Sequence, residues 1–241
     1  MPSKKYHVLL FDADGTLFDF EQSERLALED TFRSFHIDYD PDIHMRLYQE
    51  INSKIWAEFE EHTITADALK AERFRRLFDK LKLAIDPLSF SDRYLAMLSQ
   101  NAFLIDHAAD LVEKLFRDHK MVLLTNGLSS VQHPRFRRSS IFQYFDSVIV
   151  SEDVGIAKPH VGIFEHTMKK LGHGQKDDVL MIGDNLRSDI QGGINFGIDT
   201  CWYNPEKKKN GNGIRPTYEI NHLLQLVNIL QQNSDDVKNQ N

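Results

Sequence analysis

The sequence predicts an α/β fold in which a parallel β-sheet, covered by helices on both faces, carries an inserted helical bundle. Three observations support this prediction: short apolar runs that end in polar residues, helical periods between those runs, and a long stretch without strand-like runs near the N-terminus. Strands that alternate with helices pair in parallel, and continuous apolar runs are typical of strands buried on both faces.

The predicted strands are five apolar runs, each followed by acids, amides or small polar residues. They cover residues 8–11, 121–124, 148–150, 179–182 and 200–203. Apolar residues at helical spacing predict helices around residues 111–116 and 163–171. In open parallel sheets the ligand crevice lies at the carboxyl ends of the strands, so these polar clusters mark the predicted site.

An inserted helical bundle is predicted for residues 19–100. Apolar residues in this segment keep helical spacing, as Leu47, Ile51 and Ile55 do at intervals of four. The residue before a proline disfavours the α region, so Asp40-Pro41 and Asp86-Pro87 predict breaks between helices.

These patterns divide the chain into three parts. We assign residues 1–18 and 101–230 to a catalytic sheet domain and residues 19–100 to a helical cap domain. Residues 231–241 are polar and are expected to form a flexible tail.

Composition excludes several classes of protein. Hydrophobic residues make up 41% and charged residues 27% of the 241 residues, which is typical of a globular protein. The net charge of −7 argues against nucleic acid as a partner, and Cys201 is the one cysteine, so no intramolecular disulfide can form. No apolar run is long enough to enter a membrane. We therefore expect a cytoplasmic protein, a monomer or a homodimer, with no membrane or nucleic-acid partner.

Four polar clusters stand at or just beyond the predicted strands. They are Asp12 with Asp14, Thr125-Asn126-Gly127, Lys158-Pro159, and Gly183-Asp184-Asn185 with Asp189. Carboxylates, a hydroxyl and one lysine form the set that Mg²⁺-dependent phosphoryl transfer requires, because hard oxygen ligands hold the metal ion. The lysine balances charge on the phosphoryl oxygens.

In this order, Asp-x-Asp-Gly-Thr, Thr-Asn-Gly, Lys-Pro and Gly-Asp-x-x-x-x-Asp resemble the four motifs of the haloacid dehalogenase (HAD) superfamily of hydrolases. Each motif alone is a weak signal, but the four together are specific. The resemblance implies a Rossmann-like core, a helical cap of the superfamily's C1 group, Mg²⁺ as cofactor and a small phosphorylated molecule as substrate.

The resemblance also assigns catalytic roles. Asp12 matches the nucleophile that forms an aspartyl-phosphate, which water then hydrolyses. Asp14 matches the general acid and base, which relatives that cleave carbon–halogen bonds lack, so the sequence resembles a phosphatase. The implied metal ligands are Asp12, Asp14 and Asp184.

The remaining motif residues are expected to bind phosphate or to support the site. Thr125, with the backbone N–H groups of Asn126 and Gly127, matches the group that hydrogen-bonds the phosphoryl oxygens. Lys158 matches the charge that steadies both the nucleophile and the phosphate. Asn185 and Asp189 are expected to support the site, and Asp189 is expected to position Lys158 or metal-bound water.

Within the superfamily, the extended first and fourth motifs resemble the pyrimidine 5′-nucleotidase branch, although that branch often has Glu where Gly15 stands. A nucleobase needs an aromatic surface, and Phe18, Phe20 and Trp56 are candidates for it, with core packing as the alternative. Phosphoglycolate and sugar-phosphate phosphatases share this cap, and a β-phosphomutase would share both aspartates.

Two alternatives come from other classes. A phospho-receiver signalling domain uses similar acids around Mg²⁺, but such domains are about half this length and have no room for an inserted bundle. A non-catalytic binding protein of the same fold is disfavoured because all four motifs are intact.

Overall fold

The computed structural model describes residues 5–60, 63–211 and 213–238, and within them six strands form one parallel sheet in the order β3-β2-β1-β4-β5-β6. The strands are β1 (Val8–Phe11), β2 (Lys120–Thr125), β3 (Ser147–Val150), β4 (Val179–Gly183), β5 (Asp199–Tyr203) and β6 (Tyr218–Ile220). The predicted α/β class and five of the strands are confirmed. Strand β6 was not predicted, because its three residues, Tyr-Glu-Ile, form no apolar run.

The described α-helices lie between successive strands, except between β5 and β6, and one follows β6. They are α1 (Phe20–Ser34), α2 (Pro41–Glu60), α3 (Ala66–Leu81), α4 (Pro87–Leu98), α5 (Ala108–Leu115), α6 (Ser129–Arg138), α7 (Ser151–Val154), α8 (Val161–Leu171), α9 (Gln191–Phe196) and α10 (Gln225–Lys238). A single π-helical turn, Leu186–Ile190, precedes α9. Within the described ranges, no helix has the length and apolar character that crossing a membrane requires.

Both faces of the sheet are buried, as the apolar runs predict. Leu9 and Phe11 of β1 pack in a cluster with residues of α5 and α10, whereas Val8 and Leu10 pack in a second cluster with residues of α8. Successive side chains of a strand point to opposite faces, so one continuous run supplies both clusters.

The strand order changes direction at β1, which lies between β2 and β4. Phe11 is paired with Ile182 of β4, and the Asp12 N–H continues this ladder by donating to the Ile182 carbonyl at 2.8 Å. Asp12 is therefore fixed at the carboxyl end of β1, at the switch point where open α/β sheets bind ligands.

The chain divides into two compact units. The sheet unit comprises the described residues within Met1–Phe20, Ala102–Gln132 and Phe136–Asn241, and the cap unit comprises those within Glu21–Asn101 and His133–Arg135. The cap unit holds most of α1 to α4, inserted between β1 and β2. Residues His133–Arg135 of α6 belong to the cap unit, which the sequence periodicity does not predict.

Aromatic side chains form the centre of the cap unit. The ring of Phe74 lies 5.7 Å from Tyr48, 5.2 Å from Tyr94 and 4.9 Å from Phe90, measured between centroids. Helices α2 and α4 begin at Pro41 and Pro87, as the two Asp-Pro pairs predict, because proline suits the first turn of a helix.

A C-terminal helix, which was not predicted from the sequence, extends into the segment expected to be a tail. Helix α10 extends to Lys238, so residues 231–238, expected to lie in the tail, have a helical backbone. Its first half is anchored by Leu226 and Leu230, which are buried in the core of the sheet unit. Residues 239–241, the rest of the predicted tail, lie outside the described residues.

Candidate active site

Lys158 is the centre of a buried network at the carboxyl ends of the strands. Its Nζ donates to Asp12 Oδ1 at 2.5 Å, to Asp189 Oδ1 at 2.7 Å and to the Leu124 carbonyl at 2.7 Å. An ammonium group has three donors, and all three are used. Its side chain is 1% exposed, so the charge is held in one position.

The charges in this network act on one another. Burial disfavours the ammonium, but the carboxylates of Asp12 and Asp189 outweigh it and raise the pKa of Lys158. Burial also raises the pKa of Asp12; Lys158 opposes this shift, and the carboxylates of Asp189 and Asp184 add to it. Lys158 therefore stays charged, and it is the main group that stabilises Asp12 as a carboxylate.

Asp184 follows β4 and lies beside the turn that follows β1. Thr16 Oγ1 lies 3.4 Å from its Oδ1, and the Trp202 indole donates to its backbone carbonyl at 2.9 Å. Gly15 has a φ of +82°, and a Cβ there would lie 2.5 Å from Asp184 Oδ2, so glycine is needed on both grounds. Burial, followed by the charge of Asp189, raises the pKa of Asp184 to about 7.

Asp189 is fully buried on the π-helical turn. Its Oδ1 also accepts from Ser188 Oγ at 3.2 Å, and its Oδ2 accepts from the Asn185 N–H at 3.0 Å. The Asn185 side chain in turn accepts from the N–H groups of Arg187 and Ser188, which starts the turn. Asn185 therefore holds the Asp189 carboxylate, which in turn accepts a hydrogen bond from Lys158.

Three carboxylates could hold a metal ion. Asp12, Asp184 and Asp189 each offer an oxygen, and these oxygens lie within 4.8 Å of one another. Three carboxylates face one ammonium, so the cluster keeps an excess of negative charge that suits a divalent cation. The sequence predicts Asp12, Asp14 and Asp184 as ligands; the third carboxylate of the cluster is Asp189, not Asp14.

Asp14 is turned toward the end of β2. Gln132 Nε2 donates to Asp14 Oδ2 at 2.6 Å and to Thr125 Oγ1 at 3.0 Å. The Gly127 N–H, predicted to contact phosphate, donates to Thr125 Oγ1 at 3.1 Å. The sequence reasoning missed Gln132, and the available signal was its place in the first turn of the helix that follows Thr125-Asn126-Gly127.

Asn126 ties two of the motifs together. Its Nδ2 donates to the Lys158 carbonyl at 2.9 Å, and its Oδ1 accepts from the Lys158 N–H at 2.8 Å. This pair of bonds fixes the backbone of residue 158 next to the end of β2, which lets the Lys158 side chain reach the carboxylates.

The predicted aromatic surface for a base is corrected in part. Phe18 is fully buried in the core of the sheet unit, with its ring 5.2 Å from Phe136, because the turn after β1 folds it inward. Core packing is therefore its role. Phe20 and Trp56 are half-buried, and Trp56 makes an edge contact with Phe59 at 5.7 Å in the cap unit.

Fold and site together define an α/β protein with three buried or half-buried carboxylates around one lysine at the switch point of its parallel sheet. The family model described as haloacid dehalogenase-like hydrolase matches residues 6–197. The chain belongs to this family. It is a HAD phosphatase, as the sequence predicts, and the receiver-domain alternative is wrong.

Particular relatives are similar over nearly their whole length. The chain is 37% identical to the HAD-hydrolase YfnB of Bacillus subtilis over 94% of this chain and 96% of YfnB. It is 34% identical to the pyrimidine 5′-nucleotidase PynA of Streptococcus pneumoniae (95% of this chain, 96% of PynA) and 30% identical to the pyrimidine 5′-nucleotidase YjjG of Escherichia coli (94% and 98%). The crystal structure of YfnB bound to magnesium superposes with a TM-score of 0.89, covering 94% of this chain and 99% of YfnB.

Proposed function

We propose that this protein is a Mg²⁺-dependent phosphomonoesterase that hydrolyses pyrimidine nucleoside 5′-monophosphates through an aspartyl-phosphate. The observation that carries the chemistry is the Lys158 bridge between Asp12 and Asp189 at the strand ends. The substrate class is supported by PynA and YjjG, two pyrimidine 5′-nucleotidases that align over nearly the full chain.

The first step transfers the phosphoryl group to Asp12. Lys158 binds Oδ1 of Asp12, so Oδ2 is the oxygen that attacks phosphorus in line with the leaving oxygen. The bond from Oδ2 to phosphorus forms as the bond to the leaving alcohol breaks, and Asp14 gives its proton to that alcohol.

The second step returns Asp12 to its starting state. Water attacks phosphorus, Asp14 takes a proton from it, and the bond between phosphorus and Asp12 breaks to release inorganic phosphate. The hydroxyl of Thr125 and the backbone N–H of Asn126 donate to the phosphoryl oxygens in both steps. Lys158 donates to Asp12, Asp189 and the Leu124 carbonyl, so it contributes positive charge beside the phosphoryl group, and the Gly127 N–H holds Thr125 in place.

Mg²⁺ fits the carboxylate cluster, and the crystal structure of YfnB holds magnesium. Asp12 and Asp184 would hold the ion. Asp189 already accepts hydrogen bonds from Lys158, Ser188 and the Asn185 N–H, so its role is to position Lys158. When bound, Mg²⁺ supplies positive charge that draws the nucleophile and the phosphoryl group together.

The metal requirement is tested by removing and replacing the ion. EDTA should abolish turnover of p-nitrophenyl phosphate, and Mg²⁺ should restore it. Ca²⁺ should restore little, because its longer bonds and higher coordination number do not fit in-line transfer. Full turnover in EDTA would contradict the role of Mg²⁺.

The substrate class is tested by a screen with Mg²⁺ present. It compares dUMP, dTMP and UMP with purine monophosphates, phosphoglycolate and hexose phosphates, and it measures inorganic phosphate. The highest kcat/KM for the pyrimidine monophosphates is the expected result. Hexose phosphates hydrolysed as well as nucleotides would favour a sugar-phosphate phosphatase, and conversion of a hexose phosphate to an isomer without phosphate release would identify a mutase.

A further inference from the structure

We propose that Gln132 is a positioning residue for Asp14, an inference that rests on the proposed function. Gln132 lies in the first turn of α6, directly after the Thr125-Asn126-Gly127 turn, and is 1% exposed. Its Nε2 reaches Asp14 Oδ2 at 2.6 Å and Thr125 Oγ1 at 3.0 Å. One amide nitrogen therefore joins the general acid to a phosphate-binding hydroxyl.

The hydrogen bond to Asp14 decides which of its oxygens carries the transferable proton. An amide N–H can only donate, so Oδ2 of Asp14 must accept. The proton of the neutral acid then sits on Oδ1, and the plane of the carboxyl group is fixed by the bond at Oδ2. Gln132 thus presents one oxygen of Asp14 to the leaving group and prevents the carboxyl group from rotating away.

The hydrogen bond to Thr125 reinforces an orientation that the Gly127 N–H also holds, so Thr125 stays oriented when Gln132 is replaced. Thr125 Oγ1 accepts from both Gln132 Nε2 and the Gly127 N–H. A hydroxyl oxygen has two lone pairs and one proton, and both contacts use lone pairs. The hydroxyl proton therefore points away from Gln132 and Gly127, as a donor to a phosphoryl oxygen requires.

Gly127 supplies the space that Gln132 occupies. A Cβ at Gly127 would collide with the amide group of Gln132. The φ of Gly127 is not in the left-handed region, so close approach, rather than backbone conformation, calls for glycine here. The motif glycine and Gln132 fit each other, which is expected if the amide has to reach Asp14.

The test is the variant Gln132→Met, which keeps the volume of the side chain and removes its donors. It is assayed with Mg²⁺ on dUMP, which has a poor leaving group, and on p-nitrophenyl phosphate, whose leaving group needs little protonation. The kcat/KM value covers the steps up to phosphoryl transfer to Asp12, so slow hydrolysis of the aspartyl-phosphate does not enter the comparison.

In Gln132→Met, we expect the kcat/KM for dUMP to fall about tenfold or more, which is a share of the 10²–10⁴-fold that general acid catalysis typically contributes. The kcat/KM for p-nitrophenyl phosphate should fall by less than about threefold. In an Asp14→Asn background, Gln132→Met should cost little more on dUMP, because the group it positions is gone. Gln132→Glu, which places a carboxylate against Asp14, should show at least the same selective loss.

Three results would overturn the proposal: equal loss on both substrates, full additivity with Asp14→Asn, or no loss on dUMP. The matched control is Gln143→Met, because Gln143 is exposed and its amide donates to the Ser140 carbonyl, away from the site. It should leave both kcat/KM values unchanged. Wild-type protein that hydrolyses neither substrate would refute the proposed function itself, whereas an active wild type with an unaffected Gln132→Met refutes only the role of Gln132.

Discussion

Two buried cations, Lys158 of the sheet unit and Arg73 of the cap unit, have opposite surroundings. In the sheet unit, Lys158 donates to two carboxylates and a carbonyl. In the cap unit, Arg73 is 3% exposed, and its guanidinium carbon lies 5.1 Å and 4.9 Å from the ring centroids of Phe74 and Tyr94. Nε and Nη2 of Arg73 have no hydrogen-bond partner among the described residues.

The different surroundings of Lys158 and Arg73 predict different effects of substitutions in the two units. A cation paired with carboxylates changes their reactivity, whereas a cation on aromatic faces adds contact area and a modest electrostatic attraction. We therefore expect substitutions at the strand ends to act on turnover and on the response to Mg²⁺. Substitutions in the cap unit should act on stability or on substrate affinity.

The sharpest test of the sheet unit is Asp12→Asn. The amide has nearly the same shape but is not a nucleophile, so turnover should fall on the order of 10⁴-fold or more, while the fold is kept. Turnover is measured on p-nitrophenyl phosphate and on dUMP, and folding by circular dichroism.

The matched control for this variant is Asp178→Asn. Asp178 is also a buried aspartate, but it precedes β4 and binds His7 and His173, far along the strand from Asp184. It should retain turnover. An Asp12→Asn enzyme within about tenfold of wild type would exclude Asp12 as the nucleophile.

In the cap unit, Phe74→Ala should act on stability. It empties the centre of the aromatic core, so we expect a loss of about 3–5 kcal/mol in the free energy of unfolding, measured by urea denaturation. Phe142→Ala, at a 37% exposed position, is the control and should cost about 0.5 kcal/mol or less. At temperatures where Phe74→Ala stays folded, a large loss of kcat on p-nitrophenyl phosphate would break the separation between the two units.

Asp184→Asn tests the charge balance of the site. The pKa of Asp184 is raised from 3.8 to about 7, so between these values the folded protein binds more protons than the unfolded chain, and metal-free stability falls as pH rises. Without this carboxylate, the variant in EDTA near pH 8 should melt a few degrees above wild type, since 1 kcal/mol is worth about 2–4 °C.

Mg²⁺ should reverse that order. The ion raises the Tm of the wild type by binding the folded state, and the variant has lost a ligand, so it should gain little. Thermal melting with EDTA and with Mg²⁺, near pH 6 and pH 8, measures both effects. An equal Mg²⁺-induced rise in the two proteins would remove Asp184 from the metal site.

The smallest expected effect is that of Trp56→Ala in the cap unit. If Trp56 stacks on the base, KM for UMP should rise about tenfold, the size of a stacking contact of about 1.4 kcal/mol, while KM for p-nitrophenyl phosphate stays unchanged. Phe59→Ala removes its ring neighbour and is the control. Equal changes in KM for both substrates would leave Trp56 with a packing role.

Much of the sheet unit could be predicted because strand ends and motifs are local signals. The apolar run of β1 followed by Asp12 predicts both the strand and the position of the proposed nucleophile. The spacing of Asp184 and Asp189 predicts the turn that brings Asp189 to Lys158. Such signals need no knowledge of tertiary contacts.

Other features depend on contacts between distant parts of the chain. Trp202 reads as an ordinary strand residue, yet its indole holds the Asp184 carbonyl. Gln132 lies outside every motif, and only the path of α6 brings it to Asp14. Phe18 is apolar beside the site, and its sequence position is equally compatible with a binding surface and with the core in which it is buried.

The backbone position of residue 158 and the chemistry of its side chain are controlled by different groups. Asn126 determines where position 158 stands, because it binds the main-chain N–H and carbonyl there, which every residue except proline possesses. The carboxylates determine which side chain is needed. Truncation of Lys158 would therefore leave a hole of defined shape lined by Asp12, Asp189 and the Leu124 carbonyl, a receptor for a small alkylammonium ion supplied from solution.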